Sequence, residues 1–138
     1  MPTRDKFHSA VRAALENEGW VITADPLYLD FGGVDLYVDL AADKTIAAEK
    51  AGRKIAVEIK SFVAPSLIAE FHTALGQFIN YRLALQMQEP ERQLYLAVPE
   101  DAYTAFFNLP FTQAVTQQEK IRIIVYDATK ERIIVWHE

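Results

Sequence analysis

The chain has 138 residues, 51 % of them hydrophobic and 24 % charged, which fits one globular domain and excludes a disordered chain. It contains no cysteine, so disulfides, thiolate-bound zinc and cysteine nucleophiles are all ruled out. Its formal net charge of −5 is unlike that of proteins that hold nucleic acid on their own basic surface. Action on DNA would therefore need a metal ion, a partner or a local basic strip.

The first twenty residues carry neither a long apolar run nor a small-residue cleavage site, so no signal peptide is expected. No stretch reaches the roughly 18 apolar residues of a spanning helix, and the expected location is the cytoplasm. Asp5 to Glu18 reads as an amphipathic helix, with Phe7, Val11, Ala14 and Leu15 on one face and Gly19 as its stop. Trp20 to Thr23 is a short β-prone stretch closed by Asp25-Pro26, and Gly32-Gly33 punctuates the next segment.

Three β-rich runs follow: Val34 to Leu40, Thr45 to Lys50 and Lys54 to Phe62. The Ala51-Gly52 pair predicts a tight hairpin between the last two. Pro65 and Ser66 open a helix from Leu67 to about Gln88, whose expected buried stripe is Ile68, Phe71, Leu75, Phe78 and Ile79. A strand from Leu94 to Val98, a short helix over Asp101 to Phe107, and a final hairpin of Ile121 to Tyr126 with Arg132 to Trp136 complete the chain. The order α-β-β-β-α-β-α-β-β implies a single α/β domain spanning residues 1–138, a mixed sheet flanked by helices.

Lys54 to Lys60 holds the chemistry. In a strand Ala56, Glu58 and Lys60 share one face, while apolar Ile55, Val57 and Ile59 take the other. With Ala51-Gly52 as a two-residue turn, Lys50 lies opposite Arg53, Thr45 opposite Glu58 and Asp43 opposite Lys60. Asp39 shares this parity further out. Two carboxylates and an ammonium in one cleft suit hydrolysis of a phosphodiester with Mg²⁺ (or Mn²⁺), which favours oxygen ligands. The lysine would orient the attacking water or stabilise charge on the phosphate.

Asp43 followed by Glu58-Ile59-Lys60 resembles the bipartite signature of PD-(D/E)xK nucleases, whose cores run α-β-β-β-α-β. Ala42 stands where that signature has a proline, so the first acid stays open among Asp43, Asp39 and Glu49. Gln77-Phe78-Ile79-Asn80-Tyr81 resembles the QxxxY motif of the RecB-like branch, whose glutamine and tyrosine sit beside the active site. Glu70 and Ala74 continue the same helical stripe.

From FHSAVRAALENEGWVIT through DPLYL, IAAEKAGRKIAVEIKSF, ALGQFINYR and LYLAVPED, the chain also resembles the XisH family almost end to end. These resemblances imply a restriction-endonuclease-like fold, with Asp43, Glu58, Lys60, Gln77 and Tyr81 in catalysis and Asp43, Glu58 and Asp39 as metal ligands. They further imply a part in excision of a cyanobacterial DNA element together with a XisI-like partner. The alternative is a catalytically inactive regulatory subunit that uses the same fold as a scaffold.

Three further readings accompany these. Glu18 is a candidate extra acid, set against an ordinary surface carboxylate. His8, His72 and His137 lack metal-ligand spacing and are expected at the surface or in packing. Lys50, Arg53 and Lys54 form the one candidate phosphate-contacting strip, set against a solvated turn.

Overall fold

The computed structural model describes residues 4–44 and 52–138. In chain order it runs α1 (His8–Asn17), β1 (Val21–Ala24), β2 (Leu27–Phe31), β3 (Val34–Val38), β4 (Leu40–Lys44), β5 (Arg53–Ile59) and α2 (Leu67–Gln88). There follow β6 (Gln93–Pro99), α3 (Glu100–Ala102) continuing into a π-helical turn at Tyr103–Phe107, α4 (Pro110–Gln118), β7 (Ile123–Asp127) and β8 (Arg132–His137). Six strands form one sheet in the order β1-β4-β5-β6-β7-β8, parallel at β5/β6 and β6/β7 and antiparallel elsewhere. The fold is thus mixed α/β, with helices against both faces of a mixed sheet.

Strand alternation divides the interior in two. Ile55, Val57 and Ile59 of β5 join Tyr95, Ala97, Ile124 and Tyr126 beneath Val11 and Leu15 of α1. Ala56 joins Leu94, Leu96 and Ile123 on the opposite face, beneath Phe71, Ala74 and Phe78 of α2. Because both faces of β5 are covered, polar groups on it are held out of bulk water. Helix α2 begins where a cap allows it: the Ser66 hydroxyl accepts a hydrogen bond from the Ala69 N–H at 3.2 Å. Its buried stripe is Phe71, Ala74, Phe78, Ala84 and Leu85, whereas Ile68 and Ile79, expected inside, face solvent.

Residues 34–40, expected as one strand, break at Asp39 into two. The first half, β3, pairs with β2 in a separate two-stranded ribbon. This ribbon carries the tight turn, since Phe31 pairs with Val34 and Gly32-Gly33 alone lie between them. Both glycines have positive φ, 62° and 86°, as a two-residue turn matched to strand twist requires. The expected turn partner Ala51 and the expected strand at 45–50 lie outside the described residues. Asp43 pairs with Lys54 rather than Lys60, a register displaced by six residues. An even displacement preserves the face but slides Asp43 along the strand.

Candidate functional site

The parallel pairing of β5 with β6 brings Glu58 level with Leu96 in the sheet interior, and Lys60 extends that pairing through its N–H to the Ala97 carbonyl at 3.0 Å. Glu58 is only 5 % exposed although it carries a carboxyl group. Asp39 lies where the chain leaves the ribbon and enters β4, at the level of Glu58. Its Oδ2 accepts the Ile59 N–H at 2.7 Å, so the side chain takes the place of a ladder carbonyl. The Asp39 N–H points at Glu58 Oε1 at 3.4 Å. Lys60 Nζ stands 3.6 Å from Glu58 Oε2.

Helix α2 closes the cleft. Gln77 and Tyr81, one turn apart, border a cavity of ≈150 Å³ together with Asp39, Glu58 and Lys60, and Asp5 and Tyr37 complete its wall. Gln77 Oε1 is buried with no hydrogen-bond partner within the protein. Asp5, which precedes α1, accepts the Ser61 N–H at 3.0 Å and so ties the segment after Lys60 to the helix start. Phe62 in that segment adopts φ 53°, a left-handed conformation costly for a bulky residue, and is held by edge-on packing on Phe107 at 5.3 Å.

The electrostatics follow from the crowding. Burial, and then the charge of Asp39, push the Glu58 carboxyl up to about 8, against the pull of Lys60. Burial also raises Asp39, against the pull of the Ile59 N–H that its carboxylate accepts. Burial and the charges of Glu58 and Asp39 push the Tyr81 hydroxyl up to about 12, so it remains a neutral donor. His8 is buried behind Asp39, with its Nε2 2.8 Å from Asp25 Oδ1, and Arg12 holds the other oxygen of Asp25 at 2.6 Å.

The remaining expected site residues lie elsewhere. Asp43 sits toward the far end of β5, bonded to Lys54 at 3.1 Å and Arg92 at 2.9 Å. Burial opposes its ionisation, but these two cations win and hold its carboxyl below the usual range. Arg92 also donates to the Ala42 and Ile55 carbonyls, so Asp43 belongs to a structural clamp on β4 and β5. Glu18 accepts from Trp136 Nε1 at 3.2 Å, apart from the cleft, and Glu49 and Lys50 lie outside the described residues. Arg53 is paired with Glu138 and Lys54 with Asp43, so neither is free to serve a phosphate strip. His8 is a packing residue, while His72 and His137 are exposed.

The reading from sequence left out Asp5 and Tyr37. Asp5 is separated from Lys60 by 55 positions, and Tyr37 projects from a strand whose ribbon partner was not recognised. The Asp-x-x-His start of a helix could have flagged Asp5 as a capping residue, since it accepts the Phe7 N–H at 2.9 Å.

The geometry defines a class: a mixed α/β protein with two crowded carboxyls and a lysine at the end of a central strand, walled by a glutamine and a tyrosine. The chain belongs to the XisH family, whose model, described as XisH protein, matches residues 1–134. An XisH family protein from Nostoc punctiforme PCC 73102 has a solved structure similar to this one. Its TM-score is 0.89 at 48 % identity, over 97 % of this chain and 100 % of that one. A second solved structure, an fdxN element excision controlling factor protein from Anabaena variabilis, gives a TM-score of 0.88 at 49 % identity over 98 % and 100 %. No curated protein matches the chain. Among the described residues, no helix is long and apolar enough to cross a membrane.

Proposed function

We propose that the chain is a Mg²⁺- or Mn²⁺-dependent endonuclease-like protein of the PD-(D/E)xK type. In this reading it has a restriction-endonuclease-like fold, cuts DNA phosphodiester bonds and takes part in the excision of a DNA element. The observation that carries the reading is the crowding of Asp39 and Glu58, two carboxyls that burial destabilises as a bare ionised pair, beside Lys60. Among the described residues no group of three or more His, Cys, Asp or Glu could hold a metal. A pair of carboxylates nevertheless suits Mg²⁺, which is bound through one or two carboxylates and keeps several waters for the substrate phosphate to replace.

Asp39 and Glu58 would hold the ion, and a bound ion would polarise the phosphate and acidify a water. Lys60 presents its ammonium to the same cleft, where it orients the attacking water or balances charge on the phosphate. The unpartnered Gln77 Oε1 accepts a hydrogen bond from that water, and the Tyr81 hydroxyl donates to an oxygen of the substrate. A melting-temperature titration with Mn²⁺ tests the ligand set. A ligand of the folded state alone raises stability by RT ln(1 + [L]/Kd), about 2.7 kcal/mol at a hundredfold excess over Kd. Asp39→Asn is expected to remove this rise, and Asp43→Asn to retain it. The reverse result would return the first ligand to Asp43.

A second reading, a regulatory subunit holding a XisI-like partner, is favoured by the outer face of α2. Ile68, Ile79, Leu83 and Met87 are exposed there, at 40 %, 39 %, 53 % and 60 %. The charged groups of α2, Glu70 and Arg82, are turned away: Glu70 Oε2 is buried and Arg82 donates to the Glu119 carbonyl. An apolar helix face without charge marks a contact surface. Leu83→Glu is expected to weaken capture of the partner at least tenfold in a pull-down while leaving the melting temperature unchanged. Undiminished capture would remove α2 as the partner surface.

A further inference from the structure

A cavity of ≈460 Å³ lies away from the carboxylates, between α4, the start of β7 and the end of β8. That is the size of a small-molecule pocket, about three times the carboxylate cleft. Its position is fixed by a row across the sheet: Glu58 pairs with Leu96, Leu96 with Ile123 and Ile123 with His137. At roughly 4.8 Å per strand, His137 is about 14 Å from Glu58 along that row. The two sites are distinct.

Three features of this cavity point to a ligand. Lys120 and Arg122 both line it, and neither forms an ion pair with any described residue. Lys120 moreover occupies the left-handed position that ends α4, φ 53°, where a glycine would be less strained. The third feature is a column of rings. Buried Phe107 stacks with Tyr103 at 5.9 Å and 6° from parallel, and Tyr103 stacks with exposed His137 at 5.0 Å and 8°. The column runs from the core to the cavity wall and ends on a flat ring open to solvent. Glu138 also lines the cavity; its carboxylate is bonded to Arg53 at 2.9 Å and to the Tyr95 hydroxyl, and the charge of Arg122 acts on it from a distance without a contact ion pair.

Two cations without a contact ion pair beside an exposed stacking ring are the components of nucleotide recognition: a charge for phosphate and a platform for any base. We propose that this cavity binds a nucleotide unit, with its base stacked on His137 and its phosphate held by Lys120 and Arg122. The ligand is a nucleoside phosphate, either free or as one residue of a single strand. The site also locates a basic contact in a chain whose net charge is −5. It stands independently of the carboxylate cleft and is tested without metal.

The experiment is fluorescence anisotropy of a labelled oligodeoxythymidylate of about ten nucleotides, within the span of common single-strand sites, in EDTA across a NaCl series. The double change Lys120→Ala/Arg122→Ala is expected to weaken binding at least tenfold. It should also reduce the salt slope by about 0.7 for each phosphate that is no longer neutralised. His137→Ala is expected to weaken binding about tenfold with the slope unchanged, because stacking releases no counterions. Lys130→Ala, a free cation in the β7–β8 turn, serves as the control and should bind as wild type. Competition by dTMP at comparable affinity identifies a free nucleotide as the ligand, and its failure identifies a strand. Absence of binding to either probe, equal binding by wild type and both variants, or equal weakening in the Lys130→Ala control overturns the proposal.

Discussion

Lys60→Ala is expected to reduce metal-dependent cleavage of DNA by roughly 10²–10³-fold, the effect of removing one preorganised charge from a transition state. Lys60 Nζ is 3.6 Å from Glu58 Oε2, and its side chain is 19 % exposed, so it is held over the cleft rather than free in solvent. Its stem leaves β5 at the residue whose N–H bonds to Ala97 and whose carbonyl accepts from the Tyr126 hydroxyl at 3.3 Å. Those backbone bonds survive the substitution, so the circular-dichroism spectrum should be unchanged. The carboxyls remain in place, and Mn²⁺ should still raise the melting temperature. Loss of cleavage with retained metal response assigns Lys60 to the chemical step. Equal cleavage by wild type and variant would point to a contaminating nuclease and leave the regulatory-subunit reading ahead. In that reading Lys60→Ala has no effect on capture of the partner.

The parts of the site carried by local periodicity were legible in the sequence. Strand alternation puts Glu58 and Lys60 on one face of β5, and the structure has them there, 3.6 Å apart at their charged ends. The four-residue spacing of Gln77 and Tyr81 brings both to the same cleft because α2 is unbroken from Leu67 to Gln88. What depended on the length of a turn was not legible. Ala51-Gly52 has the composition of a tight turn, but Gly32-Gly33, with both φ values positive, is where two strands join through two residues.

The β4/β5 register explains the two acids, since Arg53 pairs with Lys44 rather than with Lys50. Asp43 was expected beside Lys60 and pairs instead with Lys54, while Asp39 arrives at Glu58 because the chain breaks there between β3 and β4. A strand break caused by a side chain replacing a ladder carbonyl leaves no mark in hydrophobic alternation. Helix α4 is hard to read for a related reason: in PFTQAVTQQ the β-branched Thr112, Val115 and Thr116 dilute the helix formers, and the helix relies on Pro110 at its start and on packing. The sequence pattern places Ile68 and Ile79 inside because an apolar residue on a helix stripe is usually buried. On α2 the apolar character extends round to the outer face.

Glu58→Gln is expected to stabilise the metal-free protein above neutral pH and to flatten its stability profile. A carboxyl raised by folding from 4.5 to about 8 holds more protons folded than unfolded between those values. The contribution of this group to stability is therefore fullest below about pH 4.5 and is lost as the pH rises through about 8. The full shift is an upper bound, and with relaxation of the pair about 2–4 kcal/mol should be lost across that window, at 1.36 kcal/mol per unit. The carboxyls whose folded values are lowered, Asp43 and Glu138, act in the opposite sense, but only under more acid conditions. The difference between wild-type and Glu58→Gln melting curves in EDTA between about pH 5 and 8.5 therefore isolates the contribution of Glu58. Wild type should lose stability steadily over this range. Glu58→Gln cannot ionise there and leaves Asp39 without a neighbouring carboxylate, so its curve should be flatter than that of wild type and cross above it near neutrality, the residual slope coming from Asp39, which burial still raises. Added Mn²⁺ should restore wild type at pH 8 and leave the variant unchanged, because the ion needs the carboxylate that the amide replaces. A variant that tracks wild type at every pH would mean that Glu58 is ionised and satisfied without a cation. The argument for a metal at this cleft would then fail.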